Sequence, residues 1–139
     1  MNNQNCAYCA EGELLDQFGL KICELDTCKV YLFKEQSHPG RVIAAHKKHV
    51  GDFTQLSQEE RSAYFEEIAE ISSVLQKIFQ PDKINYGAYG DTGHHLHFHL
   101  VPKYKDSFEW GGVFAMNPQE IFLVDEKYRE MIEKIQKEL

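Results

Sequence analysis

Three histidines alternate within the segment "TGHHLHFHLVPKY" at residues 92–104. Side chains on a β-strand point alternately to its two faces, so His95, His97 and His99 share one face if this segment is a strand. The apolar residues between them then share the other face. A neutral imidazole is a good nucleophile towards phosphorus and can form a covalent intermediate. The pattern therefore predicts a strand with an apolar back and a chemically active front, which we favour over a row of solvent-facing polar residues.

Metal binding is a second interpretation of the same row, because a His-x-His pair on a strand can bring two nitrogens to zinc. In an extended strand the Cα atoms of His95 and His99 lie roughly 13 Å apart, so at most two of the three histidines would share one ion. The residues alone leave nucleophilic and metal chemistry open. His94 is out of phase with the triad, and we expect it to be structural.

The elements that position the triad follow from periodicity and turn residues. Short apolar segments separated by turn chemistry predict strands near 19–25, 29–34 and 41–46, forming an antiparallel meander. Two further strands are predicted in "KINYGAY" and "HHLHFHLVPK".

Two amphipathic helices complete the prediction. Residues 57–79 carry apolar side chains at intervals of three and four, and Ser57 followed by Glu60 is a capping box. The chain ends in a second helix, "DEKYREMIEKIQKEL". Three strands, a helix, two strands and a helix predict an α+β fold: a five-stranded antiparallel sheet with helices packed on it, as one domain over residues 1–139.

Composition limits the class of protein. The chain has 139 residues, and 15 basic against 22 acidic residues give a net charge of −7, which disfavours nucleic-acid polymers but permits a nucleotide. No apolar run has membrane-spanning length, and the first residues lack the layout of a secretory signal. We therefore expect a cytoplasmic protein that does not enter a membrane.

The chain contains four cysteines, which we expect to be thiols or metal ligands and not a disulfide framework. Cys23 and Cys28 flank predicted strands and are expected to be small buried residues. Cys6 and Cys9 form a C-x-x-C pair, which by itself is weak evidence. A redox role is less favoured than a metal site, because no βαβ pattern surrounds the pair.

The quoted residues resemble the histidine triad (HIT) family, in its zinc-containing bacterial-type nucleotide hydrolase branch. "HLHFHLV" is similar to the family signature of alternating histidines at every position. "NYGAYGDTG" resembles the family's Asn-x-Gly segment and phosphate loop, and "HPGRVIAAHKKHV" resembles its Pro-Gly-His strand and Lys-x-His stretch. The likeness runs from about Cys6 to Lys103.

The resemblance implies an antiparallel sheet with helices on one side, a homodimer, and a small-molecule nucleotide substrate. It implies that His97 attacks the α-phosphate and gives a nucleotidyl-histidine that water hydrolyses. His99 and Thr92 would contact phosphate, backbone N–H groups near Gly90 would add donors, and Asn85 would belong to the binding segment. The related hexose-phosphate nucleotidylyltransferases usually carry Gln where this chain has His99, so the hydrolase side is favoured.

The resemblance also implies structural zinc, since some members hold the ion with a C-x-x-C pair and two histidines. The corresponding residues here are Cys6, Cys9, His49 and His95. His46 competes with His49, and the similarity to Lys-x-His favours His49.

Three positions depart from the family pattern. Arg41 replaces the usual His after Pro-Gly and is expected to bind phosphate as a charged donor. Asp91 stands where Gln is frequent, and the expected ribose-binding residue falls near Phe33. These changes leave the nucleoside and leaving group open. They keep two alternatives: a metal-dependent hydrolase with His97 and His99 as ligands, and a nucleotide-binding module without turnover.

Overall fold

The computed structural model describes residues 5–139 and contains a five-stranded sheet. In chain order the strands are β1 Gly19–Glu24, β2 Cys28–Phe33, β3 Val42–His46, β4 Lys83–Gly87 and β5 His97–Lys103. They lie in the order β1-β2-β3-β5-β4, and every neighbouring pair is antiparallel. The predicted α+β fold is confirmed.

A long helix and a C-terminal helix cover one face of the sheet. The long helix, α3, spans Gln58–Phe79, and Ser57 and Glu60 form the predicted capping box at its start. Its buried side chains join the main apolar core, together with the apolar face of the C-terminal helix, α4, at Asp125–Glu138. No helix formed by residues 5–139 combines the length and apolar character needed to cross a membrane.

Two short helices lie on the opposite face, which the sequence prediction missed. They are α1 at Ala7–Ala10 and α2 at Glu13–Asp16. Tyr8 and Leu15 from these helices pack in a second apolar cluster with Tyr31, Phe33 and Ile43 of the sheet. Helices of four residues give no sequence period, and they form here because their apolar side chains are buried on the sheet.

Strand β5 begins three residues later than predicted. The backbone N–H of Leu96 donates to Val50, and Leu96 accepts from the N–H of His46, at 2.7 and 3.0 Å. The residues before β5 therefore pair irregularly with the segment that follows β3. This pairing brings His95 towards the chain around His49.

Candidate active site and metal centre

The three triad histidines lie beside a cavity of about 890 Å³. His97 and His99 are in β5, and their ring centroids are 5.4 Å apart. His95 precedes the strand, and Tyr8 packs against the rings of both His95 and His97. All three imidazoles are buried yet line the cavity. The sequence alternation therefore brings the three rings to one wall.

His97 offers an unprotonated nitrogen. Its Nδ1 lies 2.6 Å from the carbonyl oxygen of His95. A carbonyl oxygen can only accept, so Nδ1 donates and Nε2 keeps its lone pair when the ring is neutral. Burial lowers the pKa of His97 and favours that neutral ring. The free lone pair is the one that a nitrogen nucleophile requires.

Arg41 lies behind His99 and does not line the cavity. Its Nε and Nη2 are 3.3 and 3.1 Å from His99 Nδ1, and Arg41 is fully buried. Its other hydrogen bonds run to the carbonyl oxygens of Ala115 and Met116. This arrangement does not favour the direct phosphate contact expected for Arg41, because its donors are turned to His99 and the backbone.

The electrostatics of His99 give a pH-dependent stability. Burial, followed by the nearby Arg41 charge, lowers the pKa of His99 from 6.5 to about 2. The unfolded chain therefore takes up this proton first as the pH falls. The contribution of His99 is fully present above a pH of about 6.5 and is lost progressively as the pH falls towards its folded pKa.

On acidification from pH 7 to pH 5, we expect the unfolding free energy of the native protein to fall by about 2 kcal/mol more than that of the His99→Gln variant. Urea unfolding of both proteins at several pH values measures how steeply the unfolding free energy of each protein falls with pH. Because each variant is compared with itself at pH 7, any general destabilisation by Gln cancels. Parallel pH profiles would show that His99 is not held neutral.

A second set of residues forms a metal-type cluster. Potential ligand atoms of Cys6, Cys9, His49 and His95 all lie within 4.8 Å of one another. The Nδ1 atoms of the two histidines are 3.1 Å apart, and the Cys9 sulfur is 3.2 Å from His49 Nδ1 and 3.5 Å from His95 Nδ1. Tetrahedral zinc with ordinary bond lengths sets such N···N and N···S separations at about 3.3 to 3.6 Å.

The hydrogen bonding of His95 suits a metal ligand. Its Nε2 is 2.6 Å from the carbonyl oxygen of His46, so Nε2 donates and Nδ1 turns a lone pair to the cluster. A backbone carbonyl behind the ring is a usual support for a ligating histidine. His46 itself is outside the cluster, because its ring packs edge-on against Tyr64 of α3. The donor set and its spacing fit zinc.

The loop between β4 and β5 forms another wall of the cavity. Asp91, Thr92 and Gly93 line it, and Gly93 lies close to the His97 ring. His94 also lines the cavity, with its ring against Gly51, although it was expected to be structural. The acid at Asp91 therefore faces the space where a substrate would bind.

Two predicted binding residues do not reach this space. Asn85 lies on β4 opposite Val101, and Gly90 lies in the loop beside Gly51. Neither lines the cavity, whereas Thr92 and His99 do.

Aromatic side chains from distant segments complete the cavity, and apart from Phe33, near which the ribose-binding residue was expected, the sequence did not single them out. They are Tyr8, Phe18, Phe33, Tyr89 and Phe114. The position of Tyr8 between the two clustered cysteines was a usable signal, since a metal site would fix it near His95. The others carry no local signal, because only the folded sheet brings them together.

The fold and the histidine row together define a histidine triad protein. The HIT domain family matches residues 18–106, which is more than half of the chain. The chain belongs to the HIT family.

Similar proteins span several organisms. The bis(5'-adenosyl)-triphosphatase of Dictyostelium discoideum is 31% identical over 97 residues, which cover 66% of this chain and 60% of that protein. A histidine triad protein from Marinobacter aquaeolei superposes with a TM-score of 0.84 at 23% identity, covering 92% of this chain and 93% of its own. A Zn-bound histidine triad family protein from Mycobacterium smegmatis gives 0.65 at 17% identity, with 97% and 93% covered. At these identities the two solved structures establish the fold alone.

Proposed function

We propose that this protein is a nucleotide hydrolase or phosphoramidase that works through a covalent His97 intermediate. The Nε2 lone pair attacks the α-phosphorus, an N–P bond forms, and the bond to the leaving group breaks. The leaving group departs with the bonding electrons and takes up a proton. Water then attacks the same phosphorus, breaks the N–P bond and gives up a proton to solvent, which balances the proton that the leaving group took from solvent. The nucleotide is released and neutral His97 is restored.

Neighbouring groups would hold the phosphoryl oxygens. His99 and the hydroxyl of Thr92 line the cavity beside His97 and can donate hydrogen bonds to them. Backbone N–H groups of the loop that follows β4 add donors for the negative charge that develops in the transition state. Gly90 enters this proposal only as part of the loop and Asn85 only as part of β4, because neither lines the cavity.

The observation that carries the proposal is the tautomer of His97, whose Nδ1 donates to His95 and whose Nε2 is left free beside the cavity. The cavity has a size typical of small-molecule sites, and its aromatic walls suit a planar base. The similarity to a bis(5'-adenosyl)-triphosphatase supports the same reaction class.

We further propose that Cys6, Cys9, His49 and His95 hold a structural zinc ion. A closed site of two thiolates and two imidazoles supplies a cross-link and leaves no position for substrate. His95 thereby fixes the backbone carbonyl that orients His97. The residues of the chain, and not the zinc ion, would bind and orient the substrate and carry out the nucleophilic attack.

The alternative of a metal held between His97 and His99 is disfavoured by charge. The guanidinium of Arg41 contacts His99 Nδ1, and a divalent cation at the same ring would meet this buried positive charge. The second alternative, a nucleotide-binding module without turnover, predicts tight binding and no hydrolysis in the assay below.

The reaction can be tested by its stereochemistry at phosphorus. We expect hydrolysis of a nucleotide substrate with a chiral isotopically labelled α-phosphate to proceed with retention, because two successive in-line displacements each invert the centre. Direct attack by a metal-bound water would give inversion, and inversion would contradict the covalent mechanism. A panel of nucleoside phosphoramidates and dinucleoside polyphosphates supplies the substrate, and tight binding without hydrolysis across the panel would favour the binding module.

We also propose a homodimer in a reducing, cytoplasmic compartment, with residues 1–139 as one domain. None of the four cysteines forms a disulfide in the part of the chain described, which suits such a compartment. Exposed apolar side chains such as Phe122 and Val124 suit burial against a second copy.

A further inference from the structure

We propose that Arg41 is a positioning residue: it holds His99 as the neutral tautomer that carries its hydrogen on Nε2, and it places a fixed positive charge behind the phosphate site. Arg41 would thus act through His99 and never touch the substrate. This inference rests on the proposed function and assigns a role within the same site.

The tautomer follows from the donors around Nδ1. Two N–H groups of Arg41, Nε and Nη2, converge on His99 Nδ1 at 3.3 and 3.1 Å. A guanidinium has only donors, so Nδ1 must accept and cannot carry a hydrogen. The hydrogen of neutral His99 is therefore on Nε2. A protonated ring would instead turn an Nδ1–H donor against the guanidinium cation, which is unfavourable.

The Nε2 of His99 is free to meet a substrate. Among residues 5–139 the buried side-chain polar atom without a partner is His46 Nε2. His99 Nε2 has no hydrogen bond to the described residues, and it is not among their fully buried atoms that lack a partner. It therefore keeps access to the cavity that His99 lines. Arg41 holds one side of the ring, and the other side presents a donor to the proposed phosphate.

The charge of Arg41 is buried, and none of its hydrogen-bond partners within residues 5–139 is a carboxylate, although Glu35 and Glu109 are near enough to favour the charge. Its terminal nitrogens donate to the carbonyl oxygens of Ala115 and Met116, both at 3.0 Å. The guanidinium carbon lies 4.1 Å from the ring centroid of Phe33 and 4.8 Å from that of Phe114. Aromatic faces and carbonyl dipoles stabilise a cation without neutralising it. Burial lowers the pKa of Arg41 to about 10, so it stays charged near neutral pH.

The segment that supplies these carbonyls is itself held in place. Glu109 Oε2 accepts from the backbone N–H of Ala115 at 2.9 Å, and Glu109 Oε1 is 2.7 Å from His38 Nε2. Lys103, at the end of β5, donates to the carbonyl oxygen of Glu109 at 2.8 Å. The carbonyl groups that hold Arg41 are therefore linked by hydrogen bonds to β5, the strand that carries His97 and His99.

The nearby positive charge of Arg41 strengthens His99 as a hydrogen-bond donor. A hydrogen bond from Arg41 to Nδ1 withdraws electron density from the ring and makes Nε2–H a stronger donor. Such a donor stabilises the transition state more than the bound substrate, because more negative charge lies on the phosphoryl oxygens in the transition state. In a chain with a net charge of −7, this buried charge also offsets repulsion of an anionic substrate.

The test combines nitrogen NMR with kinetics on the zinc-loaded full chain. With ¹⁵N-labelled histidine, and the His99→Gln variant to assign the resonances, wild-type His99 should show an unprotonated Nδ1 and a protonated Nε2. In Arg41→Met the preference for this tautomer should be lost, and kcat should fall by about 10²-fold with KM changed by less than about threefold. Arg41→Lys keeps the charge and should recover about tenfold of that loss.

The exposed Arg129 of α4 supplies the matched control, since Arg129→Met should leave both the tautomer and kcat unchanged. A protonated Nδ1 in wild-type His99 would overturn the proposal, as would Arg41→Met with wild-type kcat. If Arg41→Met does not fold, the wild-type tautomer and the kcat of Arg41→Lys still decide. If the native protein hydrolyses nothing in the substrate panel, the proposed function fails, whereas the NMR result still tests the Arg41–His99 arrangement.

Discussion

Replacing His97 with Asn should lower turnover by about 10⁴-fold or more while the fold and the metal content stay unchanged. The large effect follows because the variant loses the only atom that would form a bond to phosphorus. The native structure should survive for a geometric reason. The amide nitrogen of Asn can occupy the place of His97 Nδ1 and donate to the carbonyl oxygen of His95.

The measurement is initial-rate hydrolysis of the best substrate in the panel, with circular dichroism and zinc analysis on the same preparations. His94→Asn is the matched control, because it removes an imidazole from the same cavity but outside the triad. We expect less than a tenfold change there. A His97→Asn protein that keeps a tenth or more of the native rate would rule out the covalent mechanism.

The second large effect is expected on stability, when the metal cluster is broken. Cys9→Ser should reduce bound zinc from one equivalent to nearly none. The unfolding free energy should fall by about 3 kcal/mol or more, and Tm by about 10 °C. The reason is topological: the cluster ties α1 to the segment after β3 and to the residue that orients His97. Tyr8 then loses the anchors on both sides that hold it against the triad.

Metal analysis and thermal unfolding measure this effect, with Cys23→Ser as the control. Cys23 is a partly buried thiol on β1, outside the cluster, so its variant should keep the full zinc content. A chelator should lower activity only in step with loss of the folded protein. Complete, reversible loss of activity at an unchanged Tm would instead indicate a catalytic metal, and purified protein without bound metal would contradict the structural site.

The sequence predicted the parts of the fold that have a strong local period. Helix α3 was visible in its apolar stripe and in Ser57 and Glu60, which determine its start. The strands were visible in alternation and in the turn residues between them. The α1 and α2 helices were not, because their formation depends on the burial of Tyr8 and Leu15 against the sheet and not on any pattern within four residues.

The site shows the same division. The shared face of the histidines was predictable from their alternation, and the four clustered residues were predicted from the resemblance of their motifs to the HIT family. The orientation of Arg41 was not, because its carbonyl partners are 74 and 75 residues away in an irregular segment. A residue's type and neighbourhood can be inferred from sequence more easily than the direction of its side chain. That direction depends on which distant groups satisfy its donors.

Strand β5 lies between β3 and β4, and the proposed nucleophile, His97 at the start of the strand, is paired with Ala45 of β3. An atom held this rigidly cannot travel to meet different substrates. For the proposed enzyme we therefore expect adaptation to come from the peripheral loops, which would alter the accepted leaving group while the reacting nitrogen stays where it is. Under this proposal, chemistry and selectivity would be carried by separable pieces of the chain, and each could evolve at its own pace.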